Sequence, residues 1–244
     1  MTETTDATTD DRLLDGRVIL RQPVHGYRAA VDPVLLAAAV RLTGPTRVLD
    51  AGCGTGAAAL CLAVRVPGVT IAGLEIQPAY AGWARESVML NSVQDRVQIF
   101  DGDLANAPHL GPPFDVVMAN PPFGADSTPP PDAGLATAHM ESSLDLAGWI
   151  KACLRLLKSN GRLVMIHRAD RLSEIMAALV PAAGDIRLTP IFPKTGEPAR
   201  RVIIDAGKGR RSPDTLLPGL VLHESDGRFT AAADAVLRGG ALGE

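Results

Sequence analysis

A glycine-rich turn directly after an apolar strand constrains the fold of this chain more than any other feature. The strand ends at Asp50, and Gly52, Gly54 and Gly56 follow before a helical run begins at Ala57. Glycine lets a backbone approach a ligand closely, and the N-terminus of the next helix favours an anionic group. The spacing differs from the G-x-G-x-x-G turn of dinucleotide-binding proteins. A strand, this turn and a helix in succession predict a nucleotide-type binding site.

Apolar strands and helices alternate along most of the chain. Strands are predicted at 47–50, 69–75, 97–100, 114–119 and 162–167, and helices at 57–65, 78–91, 144–157 and 172–180. This alternation is typical of βαβ units, so the sequence predicts an α/β fold with a mostly parallel sheet and helices on both faces. Two strands near 186–192 and 201–205 follow without a helix between them. They predict an antiparallel hairpin at the end of the sheet.

The length and the patterning predict one principal domain with small additions. With 244 residues, 46% hydrophobic and only 4% aromatic, the core must be built mainly from aliphatic side chains. Residues 1–11 are acidic and are predicted to be a disordered tail. Residues 12–45 are predicted to form a hairpin of 17–23 with 27–31, then a helix with Asp32 as N-cap. Residues 46–244 are predicted to form the main domain with a C-terminal extension.

Charge and cysteine content exclude several classes of protein. The formal net charge of −3 argues against non-specific coating of nucleic acid, although six basic and two acidic side chains lie between Pro190 and Arg211. Cys53, Cys61 and Cys153 have no metal-binding spacing, so no metal is expected. No apolar run approaches the ~18 residues that a membrane span requires, and the start does not resemble a secretory signal. We therefore expect a cytoplasmic protein.

Acidic side chains follow three successive strands. Asp50 precedes the glycine turn, Glu75 closes the next strand, and Asp103 follows the third. A carboxylate at the position of Glu75 can accept hydrogen bonds from both hydroxyls of a ribose. Asp103 lies where a side chain could accept from an adenine amino group. Each residue alone would be an ordinary turn residue, but their common register predicts one nucleoside-binding edge.

This arrangement resembles the class I S-adenosylmethionine-dependent methyltransferases over residues 47–205, which implies that the main domain, 46–244, is a methyltransferase domain. The resemblance implies a Rossmann-like sheet of seven strands, the last of which is antiparallel, and S-adenosylmethionine as cofactor. It also implies a position for each site residue. Asp50, Gly52, Gly54 and Gly56 would lie around the methionine end of the cofactor, Glu75 would hold the ribose, and Asp103 would contact the adenine.

The segment Asn120-Pro121-Pro122-Phe123 follows the fourth strand of the main domain. The prolines lack amide hydrogens and fix φ, so the turn presents free carbonyls in a rigid geometry, beside the Asn120 amide and the Phe123 ring. Two acceptors can hold the two hydrogens of a planar amino group and favour the pyramidal nitrogen that attacks a methyl group. The motif resembles the N-P-P-[YF] motif of methyltransferases that act on adenine N6, cytosine N4 or a glutamine amide. Asn120 would also border the cofactor.

Two further features favour RNA over protein as substrate. The segment Gln22-Pro23, Gly26-Tyr27-Arg28 and Asp32-Pro33 resembles the one ahead of the catalytic domain in valine-tRNA adenine-N6 methyltransferases, in which it would fold over the cofactor. Release-factor glutamine methyltransferases usually carry a helical domain there, for which about 45 residues are too few. Adenine in tRNA is therefore the leading hypothesis, while adenine in rRNA or DNA, a release-factor glutamine and an inactive cofactor-binding module remain alternatives. Candidate substrate contacts are Tyr27, Asp32, Lys194, Arg200 and Arg201.

Overall fold

The computed structural model describes residues 7–26, 28–42, 44, 46–122 and 144–243. Tyr27, Phe123 and the proline-rich stretch that follows Phe123 lie outside these residues. The described strands are β1 (Thr8–Leu13), β2 (Val18–Pro23), β3 (Arg47–Ala51), β4 (Thr70–Glu75), β5 (Val97–Asp101), β6 (Phe114–Ala119), β7 (Leu157–Arg168), β8 (Ala183–Lys194), β9 (Arg201–Lys208), β10 (Thr215–Leu216) and β11 (Leu220–His223). The described helices are α1 (Val31–Ala39), α2 (Ala57–Arg65), α3 (Pro78–Leu90), α4 (Leu146–Leu156), α5 (Leu172–Leu179) and α6 (Ala231–Leu237).

The central sheet confirms the predicted α/β architecture. Its main strands run in the order β5-β4-β3-β6-β7-β9-β8, and β9 is antiparallel to both of its neighbours. Two short strands, β10 and β11, pair with β8 in parallel and extend the sheet to nine strands. The seven predicted strands are therefore present, and the last of them in the chain, β9, is the antiparallel one.

Two apolar layers cover the sheet. Side chains from α1, α2, α3 and α6 form the core on one face, and those from α4 and α5 form the core on the other. Strand β6 is buried on both faces, since Val117, Met118 and Ala119 are fully inaccessible to solvent. A strand covered on both sides is a near-continuous apolar run, which is the pattern that predicted β6.

The N-terminal hairpin differs from the prediction. Strand β1 pairs with β2 from Thr8↔Pro23 to Leu13↔Val18, so residues 8–11 belong to a strand and the partner of β2 is not 27–31. The prediction of a disordered tail over 1–11 is wrong for this part. A surface ribbon is held by backbone hydrogen bonds and cross-strand pairs, such as Asp10 with Arg21 at 2.8 Å, and needs few apolar side chains.

Asp32 does not cap α1. The helix begins two residues earlier than predicted, at Val31, with Ala30 at the N-cap position and no side-chain cap. Asp32 lies in the first turn, where its negative charge interacts favourably with the positive end of the helix dipole. Its carboxylate also accepts a 3.0 Å hydrogen bond from Arg201 Nε. The acidic side chain therefore joins α1 to β9.

Candidate active site at the carboxyl edge of the sheet

The ends of three neighbouring strands bring the main candidate residues together. Ala51, the last residue of β3, pairs with Leu74 of β4 and with Ala119 of β6. The residues that follow these three positions are Gly52, Glu75 and Asn120. They therefore lie side by side at the carboxyl edge of the sheet, where open α/β sheets bind their ligands.

The glycine turn has a conformation that requires glycine. Gly52, Gly54 and Gly56 have φ of +70°, +55° and +88°, a region that L side chains rarely adopt. A Cβ on Gly54 would meet nothing within 4 Å, so this residue faces open space. The structure thus provides a cradle against which a cofactor can lie close to the backbone.

Gly52 is constrained by a neighbour that the sequence did not indicate. A Cβ at this position would lie 2.6 Å from Trp149 Cη2, so the indole of α4 packs directly against the turn. Helix α4 covers the face of the sheet opposite to α2. Trp149 is 8% exposed. A tryptophan in an amphipathic helix is an ordinary core residue, and nothing in the sequence indicated that this one supports the glycine turn.

Asp50 is buried beneath the turn and holds the start of α2. The residue is 2% exposed, and its carboxylate accepts a 3.1 Å hydrogen bond from the backbone N–H of Ala59. Burial raises the pKa of Asp50 to about 7, although the bond from Ala59 opposes this shift, and the nearby Glu75 carboxylate raises it further. Asp50 therefore positions the N-terminus of the helix that follows the glycines.

Glu75 connects the ends of β3 and β4. Its Oε2 accepts from the backbone N–H of Gly54 at 2.9 Å, and its Oε1 accepts from that of Gln77 at 2.9 Å. Both bonds come from backbone N–H groups of residues that flank the ends of β3 and β4. The residue predicted to hold a ligand also fixes the turn that would contact it.

Asp103 lies after β5 and caps a short 3-10 turn. Its Oδ1 accepts a 2.9 Å hydrogen bond from the backbone N–H of Ala105. The position is the predicted one, at the carboxyl end of the edge strand of this half of the sheet. The carboxylate is held by its own turn at the rim of the candidate nucleoside site.

The Asn-Pro-Pro turn leaves the buried end of β6. Pro121 is buried, Asn120 is half-buried with its Oδ1 atom shielded from solvent, and Pro122 is exposed. Phe123 lies outside the described residues. The turn therefore presents its acceptors where solvent is partly excluded, a setting that strengthens hydrogen bonds.

The structure divides the basic cluster into two groups. Strand β9 is antiparallel to β7, so Arg201 lies opposite Arg168 at the carboxyl edge, whereas Lys208 lies opposite Ala183 at the other edge. About 23 Å separates the two ends of β9 at strand rise. Lys194, Arg200 and Arg201 therefore share the edge of the candidate site. Lys208 instead donates to the carbonyl of Leu157 at 2.7 Å.

The described part of the chain contains no group of three or more His, Cys, Asp and Glu side chains that could hold a metal ion. The three cysteines are free and buried. No described helix is both long and apolar enough to cross a membrane.

Solved structures share this fold and define the class of protein. A predicted O-methyltransferase from Agrobacterium tumefaciens superimposes with a TM-score of 0.70 and 28% identity, over 86% of this chain and 97% of that one. A class I S-adenosylmethionine-dependent methyltransferase from Listeria monocytogenes shares the fold with a TM-score of 0.55 and 18% identity, over 76% of this chain and 62% of that one. The fold is that of S-adenosylmethionine-dependent methyltransferases.

The sequence comparisons identify the family. The model of the methyltransferase small domain matches residues 32–183, and the chain belongs to this family. It is a methyltransferase, and S-adenosylmethionine is its methyl donor. A tRNA1(Val) (adenine(37)-N6)-methyltransferase from Yersinia pestis is 30% identical over 83% of this chain and 82% of its own length. The enzyme with the same name from Aeromonas hydrophila is 28% identical over 83% of this chain and 85% of its own length.

Proposed function

We propose that this chain transfers the methyl group of S-adenosylmethionine to the N6 amino nitrogen of an adenine in tRNA. The observation that carries the proposal is the position of the Asn120-Pro121-Pro122 turn, at the strand end next to the glycine cradle. The names of the Yersinia and Aeromonas relatives support tRNA as the acceptor. Because tRNA is the proposed substrate, we also propose a cytoplasmic place of action.

The turn supplies the acceptors that an amino nitrogen requires. The lone pair of an adenine amino group is delocalised into the ring, so the nitrogen must become pyramidal as it attacks. The Asn120 amide oxygen and the Pro121 carbonyl accept its two N–H hydrogens and stabilise that geometry. S-adenosylmethionine supplies a methyl group on a positively charged sulfur, which the nitrogen attacks in line. As the N–CH3 bond forms, the S–CH3 bond would break and neutral S-adenosylhomocysteine would leave. The nitrogen would then carry the positive charge and would be acidic enough to release one proton to water.

A hydroxyl acceptor suits this turn less well. The Agrobacterium structure is described as an O-methyltransferase. A hydroxyl has one hydrogen, so it cannot satisfy both acceptors, and it normally requires a base that removes the proton. The pair of acceptors at Asn120 and Pro121 favours an amino group.

We assign the cofactor to the glycine cradle and to the carboxylates around it. Gly52, Gly54 and Gly56, with Asp50 beneath them, would hold the methionine end, beside Asn120. Glu75 would accept from the ribose and Asp103 from the adenine amino group. The open space in front of Gly54 and the position of Glu75 at the carboxyl end of β4 fit these roles.

We assign RNA contacts to the basic residues of the same edge. Arg200 has a side chain that is 75% exposed and only a 3.8 Å contact with Glu197, so it is available for a phosphate. Lys194 lies close by and donates to the carbonyl of Ser225 at 3.2 Å. Phe123 would stack on the flipped base, and Tyr27 would border it.

Methyl transfer to defined substrate pools tests the proposal. Wild-type protein should label tRNA from a strain that lacks the enzyme, and mass spectrometry should detect N6-methyladenosine in it. Asn120→Ala should lower turnover by about 10² to 10³ and leave affinity for S-adenosylhomocysteine nearly unchanged. The proposed acceptor would be contradicted if rRNA, DNA or a release-factor glutamine became labelled while tRNA did not. Normal turnover in Asn120→Ala would contradict the proposed mechanism.

A further inference from the structure

A buried glutamine in the N-terminal hairpin holds the segment that leads to α1. Gln22 is 1% exposed, and each end of its side-chain amide has a partner. Its Nε2 donates to Asp11 Oδ2 at 2.6 Å, and its Oε1 accepts from the backbone N–H of Ala29 at 2.7 Å. Strand β1 is thereby connected through Gln22 to the backbone just ahead of α1.

Arg28 closes the same segment from its other side. Its guanidinium donates to the carbonyl of Pro23 at 2.6 Å and to Thr9 Oγ1 at 3.0 Å, and it also pairs with the Asp11 carboxylate. Asp11 therefore receives hydrogen bonds from both Gln22 and Arg28. We call these three residues the Gln22 clamp; it joins the beginning and the end of the segment 23–29.

Described residues on either side of Tyr27 contact the edge of the sheet on both sides of the candidate site. A Cβ at Gly26 would lie 3.1 Å from Tyr80 Oη, in the first turn of α3, which follows β4 and Glu75. Beyond the segment, Asp32 contacts Arg201 at the start of β9. Four strand spacings separate β4 from β9, about 19 Å, and the ends of β3 and β6 lie between them. Gly26 and Asp32 are therefore anchored on opposite sides of the ends of β3 and β6, where the glycine turn and Asn120 lie.

We propose that Gln22 is a positioning residue, which holds the segment 23–29 over the cofactor and the target base. This inference rests on the proposed function for the base, but its part concerning the cofactor does not. Gln22 touches no reacting atom; it acts through Ala29 and through Asp11. When the clamp is broken, only a fraction of the molecules has the segment in place. The apparent dissociation constant for the cofactor then equals its value in the intact protein divided by that fraction.

A reciprocal exchange of hydrogen-bonding groups provides the sharpest test. Gln22→Glu keeps an acceptor for Ala29 but places a second carboxylate beside Asp11, where an N–H donor stood. Adding Asp11→Asn returns a donor to this contact. Gln94→Glu makes the same chemical change on an exposed side chain and is the matched control.

The first measurement needs neither RNA nor turnover. Hydrogen exchange should accelerate across 23–29 in Gln22→Glu, return towards the wild-type rate in Gln22→Glu/Asp11→Asn, and stay unchanged in Gln94→Glu. In calorimetry, the dissociation constant for S-adenosylhomocysteine should rise roughly tenfold in Gln22→Glu and recover in the double variant.

A purely structural role predicts a different pattern. Gln22→Glu would then lower the unfolding midpoint, while its affinity for S-adenosylhomocysteine, measured well below that midpoint, would equal that of the wild type; this result would overturn the inference. Failure of the double variant to recover both affinity and slow exchange would also overturn it. If the clamp variants behave as expected but the wild type does not methylate tRNA, the proposed substrate is wrong and the inference about the cofactor stands.

Discussion

Arg201 and Asp32 form an ion pair that joins the first residue of β9 to the first turn of α1, with Arg201 Nε 3.0 Å from Asp32 Oδ2. Their side chains are 32% and 23% exposed, so the pair is only partly screened by solvent. Arg201 was predicted as an RNA contact and Asp32 as a helix cap and substrate residue. In the structure, each is the other's partner.

The Arg201–Asp32 pair should contribute to stability more than to RNA binding. Arg201→Ala should lower the free energy of unfolding by about 1 kcal/mol, because the pair is partly buried and joins distant segments. Urea unfolding of both single variants and of Arg201→Ala/Asp32→Ala forms a double-mutant cycle. Additive effects in that cycle would contradict an energetic coupling between the two side chains.

Arg200 should behave in the opposite way. Its side chain is 75% exposed, so Arg200→Ala should leave the unfolding midpoint unchanged. It should weaken tRNA binding and reduce the slope of log K against log salt by about 1, as expected for one lost phosphate contact. Binding measured from low to moderate salt checks this, with the exposed Arg211→Ala at the other end of β9 as the control. Equal slopes for wild type and Arg200→Ala would exclude Arg200 from the RNA interface.

Comparing Gly54 with Gly68 separates the effect of backbone strain on stability from the effect of a side chain on cofactor binding. Both have positive φ, +55° and +90°, and at both a Cβ would meet nothing within 4 Å. Gly54→Ala and Gly68→Ala should each destabilise the fold by about 1 kcal/mol. Only Gly54→Ala should weaken S-adenosylhomocysteine binding, because only there would the methyl group occupy the cofactor's space. Calorimetry that shows the same affinity for both variants would place the cofactor elsewhere.

The buried carboxyl of Asp50 should make stability depend on pH. Its pKa in the fold is about 7, compared with an ordinary value of 3.8, so between these pH values the folded chain retains a proton that the unfolded chain has released. The contribution of Asp50 to stability is therefore fully present below about pH 4 and is lost as pH rises towards 7.

Asp50→Asn removes this titration. The free energy of unfolding of the wild type minus that of Asp50→Asn should fall between about pH 4 and 7 and level off above it. His167, whose pKa burial lowers to about 4, titrates in the same range with the opposite sign, and taking the difference cancels it because both proteins contain it. Urea midpoints at a series of pH values test the slope, and a flat difference would contradict the raised pKa.

The sequence predicted those strands and helices that have a clear apolar pattern of their own. Strand β6 has the predicted bounds, and the antiparallel position of β9 follows from two strands without a helix between them. Strand β1 was missed because Thr8 to Asp11 are polar. Its pairing depends on β2 and on contacts such as that of Asp11 with Gln22, which no local pattern reveals.

The same distinction applies to the site. Glycines and carboxylates at strand ends could be located from the sequence, because the ends of parallel strands meet at one edge. The residue that packs against the glycine turn could not be located from the sequence, because Trp149 contacts Gly52 from a helix that is distant along the chain. The basic cluster was contiguous only in the sequence. Strand β9 carries Arg201 and Lys208 to opposite edges, a separation that requires knowledge of where the strand lies.

The position of β9 also determines the order in which this half of the protein can be completed during synthesis. Strands β7 and β8 do not pair with each other; each is joined to β9, which follows both in the chain. A nascent chain that has reached residue 200 therefore has an unpaired edge on β7 and no place for β8, even though the glycine turn and Asn120 have already been made. Domains fold as cooperative units during translation. The edge that carries Lys194 and Arg200 thus forms only once residues 201–208 have emerged from the ribosome.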